Sequence, residues 1–104
     1  MWFCVSAFSL AEHPDGSVPS EEQVWEEHLF LVMAQDADEA QSKAEDLARN
    51  QECSYAAANG SNVSWKFKTI SKVYELADEP GDGTEVFSRF LKESEVLSIL
   101  TPIT

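Results

Sequence analysis

Two histidines, two cysteines and nineteen Asp and Glu residues supply the groups that could do chemistry in this 104-residue chain. His13 stands in a Pro/Gly loop and His28 on a strand near Glu26, with no second Cys or His at zinc-ligand spacing. A cysteine beside a histidine could act as an activated thiolate, but only proximity in the folded chain would create the pair. Cys4 lies inside an apolar strand, where the expected state is an inert buried thiol. The carboxylate pairs Glu21/Glu22 and Glu26/Glu27 are adjacent in sequence. Neighbours on a strand point to opposite faces, so these pairs do not flank one scissile bond. All four glycines fall in turn contexts rather than in a phosphate-cradling loop. No serine sits in a nucleophile elbow. The sequence therefore assigns no catalytic, cofactor-binding or metal-ligating residue.

What remains are surfaces. Seven Lys and Arg against nineteen Asp and Glu give a formal charge of -12. Residues 1–54 carry twelve acids and two bases, and residues 55–104 carry seven acids and five bases. Nucleic acids and anionic membranes are bound largely through Lys and Arg, so both are disfavoured as partners. An acidic surface favours solubility and salt-sensitive encounter with basic proteins. Glu26, Glu27, Asp38 and Glu45 are the candidate acidic contacts of the N-terminal half. Lys66 and Lys68, with Lys72, stand out on one face of a long strand. They either pair with acids on neighbouring strands or mark a contact stripe.

The elements that position these residues follow from periodicity. Trp2–Leu10 reads as a first strand, apolar on both faces, and Asp15-Gly16 as a turn. A second strand covers about Val24–Ala34. It sets Trp25, Leu29, Leu31 and Met33 on one face and Glu26, His28, Phe30 and Val32 on the other. Its apolar inner half predicts a central strand covered on both sides. Asp36 with Glu39 three residues on has capping-box spacing. Ala37, Ala40, Ala44, Leu47 and Ala48 then form one apolar stripe on a helix ending near Asn50.

Beyond the turn Asn59-Gly60, a strand runs from about Asn62 to Leu76, with Val63, Trp65 and Phe67 alternating with Ser64, Lys66 and Lys68. The alternation then changes phase and places Ile70 on the lysine face, which predicts a bulge near Ser71. Pro80-Gly-Asp-Gly83 turns into a fourth strand over Thr84–Leu91, and Val96, Leu97 and Leu100 suit a short final helix. One helix covers one face of such a sheet, so either the C-terminal segment or another chain must cover the second.

At this length the chain holds one hydrophobic core and hence a single domain over residues 1–104. Cys4 and Cys53 could pair, but the expected state is two buried thiols of a cytosolic protein. The apolar start lacks a basic n-region and a cleavage site. No run approaches the length of a membrane span. The expected compartment is the cytoplasm.

Trp2-Phe3, Ala34, Glu39-Ala40 and Ala44-Glu45 carry the first half of a resemblance. Asn59-Gly60, Val63-x-Trp65-x-Phe67, Tyr74-Glu75-Leu76 and Gly83-x-Glu85-Val86-Phe87-Ser88-Arg89 carry the second. In this order and spacing they resemble the bacterial domain-of-unknown-function family 4288, over about residues 2–91 with a tail at 92–104. The resemblance implies a small bacterial α+β domain and brings no catalytic residue. Glu85 and Arg89, the polar members of its densest motif, would form a surface ion-pair network or a binding site.

The expectation is thus an α+β fold: a mainly antiparallel four-stranded sheet in ββαββ order, one main helix on one face, and a short C-terminal helix or tail. The expected function is a non-enzymatic protein–protein interaction module, with no cofactor. Its concrete form would be an immunity-type inhibitor of a basic toxin. A self-associating homodimeric domain is the alternative, and a small-ligand-binding protein comes third.

Overall fold

A computed structural model describes residues 1–14, 18, 22–58 and 60–100. The expected Asp15-Gly16 turn and Asn59 lie outside them. In chain order the elements are β1 (Trp2–Glu12), β2 (Trp25–Met33), α1 (Ala37–Asn50), β3 (Cys53–Ala56), β4 (Asn62–Glu75) and α2 (Glu93–Leu100). The four strands form one antiparallel sheet in the order β2-β1-β4-β3. The fold is α+β, with a single main helix against one face.

β1 is the strand most deeply covered, because it lies between β2 and β4 and its side chains meet neighbours on both faces. Phe3 and Val5 point to the α1 side, where they pack with Val32, Ala34, Ala40 and Ala44. Phe30, Ile70 and Val73 close the rim of this cluster. The helix lies close to the strands because its buried positions, Ala40, Ala44 and Ala48, are all alanine. Leu47, expected in that stripe, is exposed instead. It falls one position round the helix from Ala48, enough to turn it out to water.

The start of α1 is fixed locally. Asp36 is its N-cap, and its Oδ1 accepts from the Glu39 backbone N–H at 2.8 Å. Glu39 Oε2 accepts in return from the Gln35 N–H at 3.4 Å, one residue before the cap. The two side chains thus satisfy donors that a helix end leaves unpaired.

The register of β1 against β4 skips a β4 residue twice, at Ser71 and at Lys68. The bulge at Ser71 is the one the phase change predicts. The second, at Lys68, corrects the placing of Ile70. With one extra residue after Phe67, Ile70 pairs with Ala7 on the helix side rather than joining the lysines.

Three further expectations are overturned. β2 is an edge strand, not a central one, since its only ladder is with β1. Residues 84–91 belong to no strand and join no ladder of the sheet. The fourth strand is instead Cys53–Ala56, a four-residue piece hairpinned to β4. Its closing turn uses Gly60 at φ +86, a left-handed conformation that glycine adopts without a Cβ clash.

Candidate functional site

Because paired residues share a face, the ladder sorts the candidate site residues directly. On the side of β1 away from α1 stand Cys4, Ser6, Phe8 and Leu10. Their β2 neighbours there are Leu31, Leu29, Glu27 and Trp25, and Met33 continues the row beside Trp2. From β4 the same face receives Tyr74, Lys72, Thr69 and Lys66. We call this the open face.

Its two halves differ. On the β4 side, the segment after β4 lays Phe87 edge-on against Tyr74, with ring centroids 6.3 Å apart, and Lys72 Nζ lies 5.5 Å from the Phe87 ring centre. Cys4 is buried in the row between Leu31 and Tyr74. Its thiol is pushed above the usual 9.0, first by burial and then by the negative charge of Glu27. On the β2 side none of the described residues forms such a cover. Trp25, Leu29, Leu31 and Met33 are 44–55% exposed, four large apolar side chains in one row. Trp25 keeps an edge contact with Phe8 at 6.4 Å. Only Glu27 interrupts the row, and its carboxylate accepts from Ser6 Oγ at 2.6 Å.

The expected acidic contacts do not share a surface. Glu26 faces the helix side, where its Oε1 is 3.1 Å from His28 Nε2. Glu27 is on the open face. Asp38 and Glu45 belong to α1. Of the lysines, Lys68 is paired with Glu12 at 2.9 Å across the sheet, as a cross-strand charge pair would be. Lys66 forms no ion pair among the described residues and stands in the row of Leu10 and Trp25. Glu85 and Arg89 lie in the 84–91 segment outside the sheet and likewise form no ion pair among the described residues.

The helix side carries a second feature that sequence spacing does not reveal. Where α1 ends, a cleft of about 240 Å³ is lined by His28, Glu26, Glu52, Cys53, Tyr55 and Trp65. Tyr55 and Trp65 are tied by an indole N–H donating to the phenol oxygen at 3.1 Å. Glu52 Oε2 accepts from the Phe67 N–H at 2.8 Å, so one of its oxygens is committed to the backbone. Of the two thiols expected to be buried, Cys4 is, but Cys53 is exposed on the short edge strand β3; they lie on opposite faces two strands apart, and both are free. Among the described residues, no three His, Cys, Asp or Glu side chains converge as metal ligands would. No helix among them is long and apolar enough to cross a membrane.

This architecture is that of a small α+β domain with one covered and one half-open sheet face. A family model described as a domain of unknown function, DUF4288, matches residues 2–88. The chain belongs to that family. No curated protein and no solved structure matches it.

Proposed function

We propose that this chain is a non-enzymatic protein–protein interaction module that binds through the β2 half of its open sheet face. One observation carries the reading: Trp25, Leu29, Leu31 and Met33 form an apolar row, broken only by Glu27, with no cover from the described residues of the chain. Scattered surface leucines are ordinary, but a contiguous row on one strand marks a contact surface. Charges of both signs accompany it, with Lys66 beside the Trp25 end and Glu27 between Trp25 and Leu29. The acidic form of the reading, a basic target gripped by Glu26, Glu27, Asp38 and Glu45, draws less support, because these carboxylates are spread over three surfaces.

The test is the size of the assembly in which the native protein travels. Leu31 is half exposed, so Leu31→Glu leaves the core intact while placing a charge in the row. Gel filtration of lysate should show the wild type well above the 11.6 kDa of one chain and Leu31→Glu near it. A wild type that elutes as a monomer would overturn the proposal.

A further inference from the structure

The structure leaves a second apolar surface without a partner. α2 presents Leu97, Ile99 and Leu100 to solvent, each more than half exposed, and Phe90 just before it is wholly exposed. α2 makes no contacts with any other element of the chain. An isolated helix of two turns has little stability in water, even with its first turn closed by Glu95 Oε1 accepting from the Lys92 N–H at 3.0 Å. It therefore requires a surface to lie on.

We propose that two copies of this chain pair by exchange, each laying its α2 across the β2 half of the other's open face. This rests on the reading of that face as a protein contact and names its occupant. Four observations select a second copy. The radius of gyration is 16.5 Å, against roughly 13 Å for a compact domain of this length. With no Cα of α2 within 8 Å of another element, α2 is held out from its own sheet rather than folded onto it.

Dimensions agree: an eight-residue helix is about 12 Å long, and the span from Leu29 to Met33 is about 13 Å. Area agrees as well. At about 200 Å² for a large apolar side chain, the β2 row, Phe90 and the three α2 residues expose roughly 900 Å² per chain. A standard stable interface needs about 800 Å² per partner. Finally, the charges complement one another. The first turn of α2 carries Glu93 and Glu95 with no basic residue in its last turn, and the open face offers Lys66 in the rung of Leu10 and Trp25. Exchange makes the contact isologous, so both patches of both chains are buried by one two-fold axis.

Paired cysteines decide it. With Cys53→Ser and Cys4→Ala in every chain, since Cys4 stands directly across from position 31, one chain carries Leu31→Cys and another Leu97→Cys. Mixing them under mild oxidation should give a disulfide-linked heterodimer in at least about tenfold excess over the linked species from either chain alone, because exchange sets Leu97 of one chain over Leu31 of the other. A chain carrying both substitutions should also link to a second chain. If it closes on itself as a monomer, its own α2 is the cover and the proposal is wrong. If no linkage exceeds the single-chain controls, the proposal is wrong again. Either failure, combined with a large wild-type assembly in lysate, removes the second copy and leaves the open face as the contact for a different protein. A monomeric wild type in lysate removes both.

Discussion

Deleting methyl groups at two positions tests the packing that defines the open and covered faces. Val5 is fully buried at the centre of the sheet, paired with Phe30 and Val73 and lying beneath Ala40 and Ala44. Val5→Ala removes two methyl groups, about 0.8 kcal/mol each in transfer free energy. The void, at most about 50 Å³, adds up to about 1.2 kcal/mol at ~24 cal/mol per Å³ if nothing collapses into it. The expected loss is therefore about 1.5–3 kcal/mol. Leu47→Ala removes more carbon, but from a side chain already 41% exposed and outside the buried alanine row. It should cost about 1 kcal/mol or less, since Ala also favours helix slightly. Urea titration followed by tryptophan fluorescence, at one fixed protein concentration, reads both. With a slope near 1–1.5 kcal/mol per molar for a domain of this size, Val5→Ala should lower the midpoint by roughly 1–3 M with the slope unchanged. A Leu47→Ala loss equal to or larger than that of Val5→Ala would mean that α1 is rotated on the sheet, and the face assignments would fall with it.

Two further outcomes are expected. A thiol reagent at neutral to mildly alkaline pH should modify Cys53 quickly and Cys4 only after unfolding, since one is exposed and the other buried. The folded chain holds the Cys4 proton above 9.0, where the unfolded chain releases it, so Cys4 leaves stability unchanged below that pH and lowers it as pH rises through the folded value. Cys4→Ala should show a smaller alkaline loss of urea midpoint than the wild type; identical alkaline losses would refute the burial. Asp36→Ala should destabilise by about 1 kcal/mol by orphaning the Glu39 N–H, while Asp36→Asn should cost only a few tenths. Faster amide exchange over the first turn of α1 would accompany the alanine change alone.

Local signals were legible in the sequence and long-range ones were not. The Asp36 cap and the Ser71 bulge could be read because each depends on residues within one turn or one change of alternation. The alternating row of β2 was also correct residue by residue. Its place at the sheet edge was not readable, because apolar residues on both faces of a strand mean burial only if something covers both. Here one face is left uncovered by the described residues, and that mismatch is the candidate site itself. Cys53–Ala56 escaped notice because all four of its residues are exposed, so burial leaves no imprint on their types. Residues 84–91 gave the opposite error. Val86, Phe87 and Phe90 mimic a strand, yet Phe87 serves to cover Tyr74 and the backbone of 84–91 joins no ladder. The cleft between His28 and Cys53 joins residues on two strands separated by β1 and β4, a juxtaposition that follows only from strand order.

A photo-crosslinking side chain placed at Leu31 in cells that make the protein tests the central claim most directly, with the same group at Asp38 on the exposed side of α1 for comparison. An open face that works as a contact predicts a discrete covalent protein adduct from Leu31 and none from Asp38. No adduct from Leu31, or equal adducts from both positions, would contradict it.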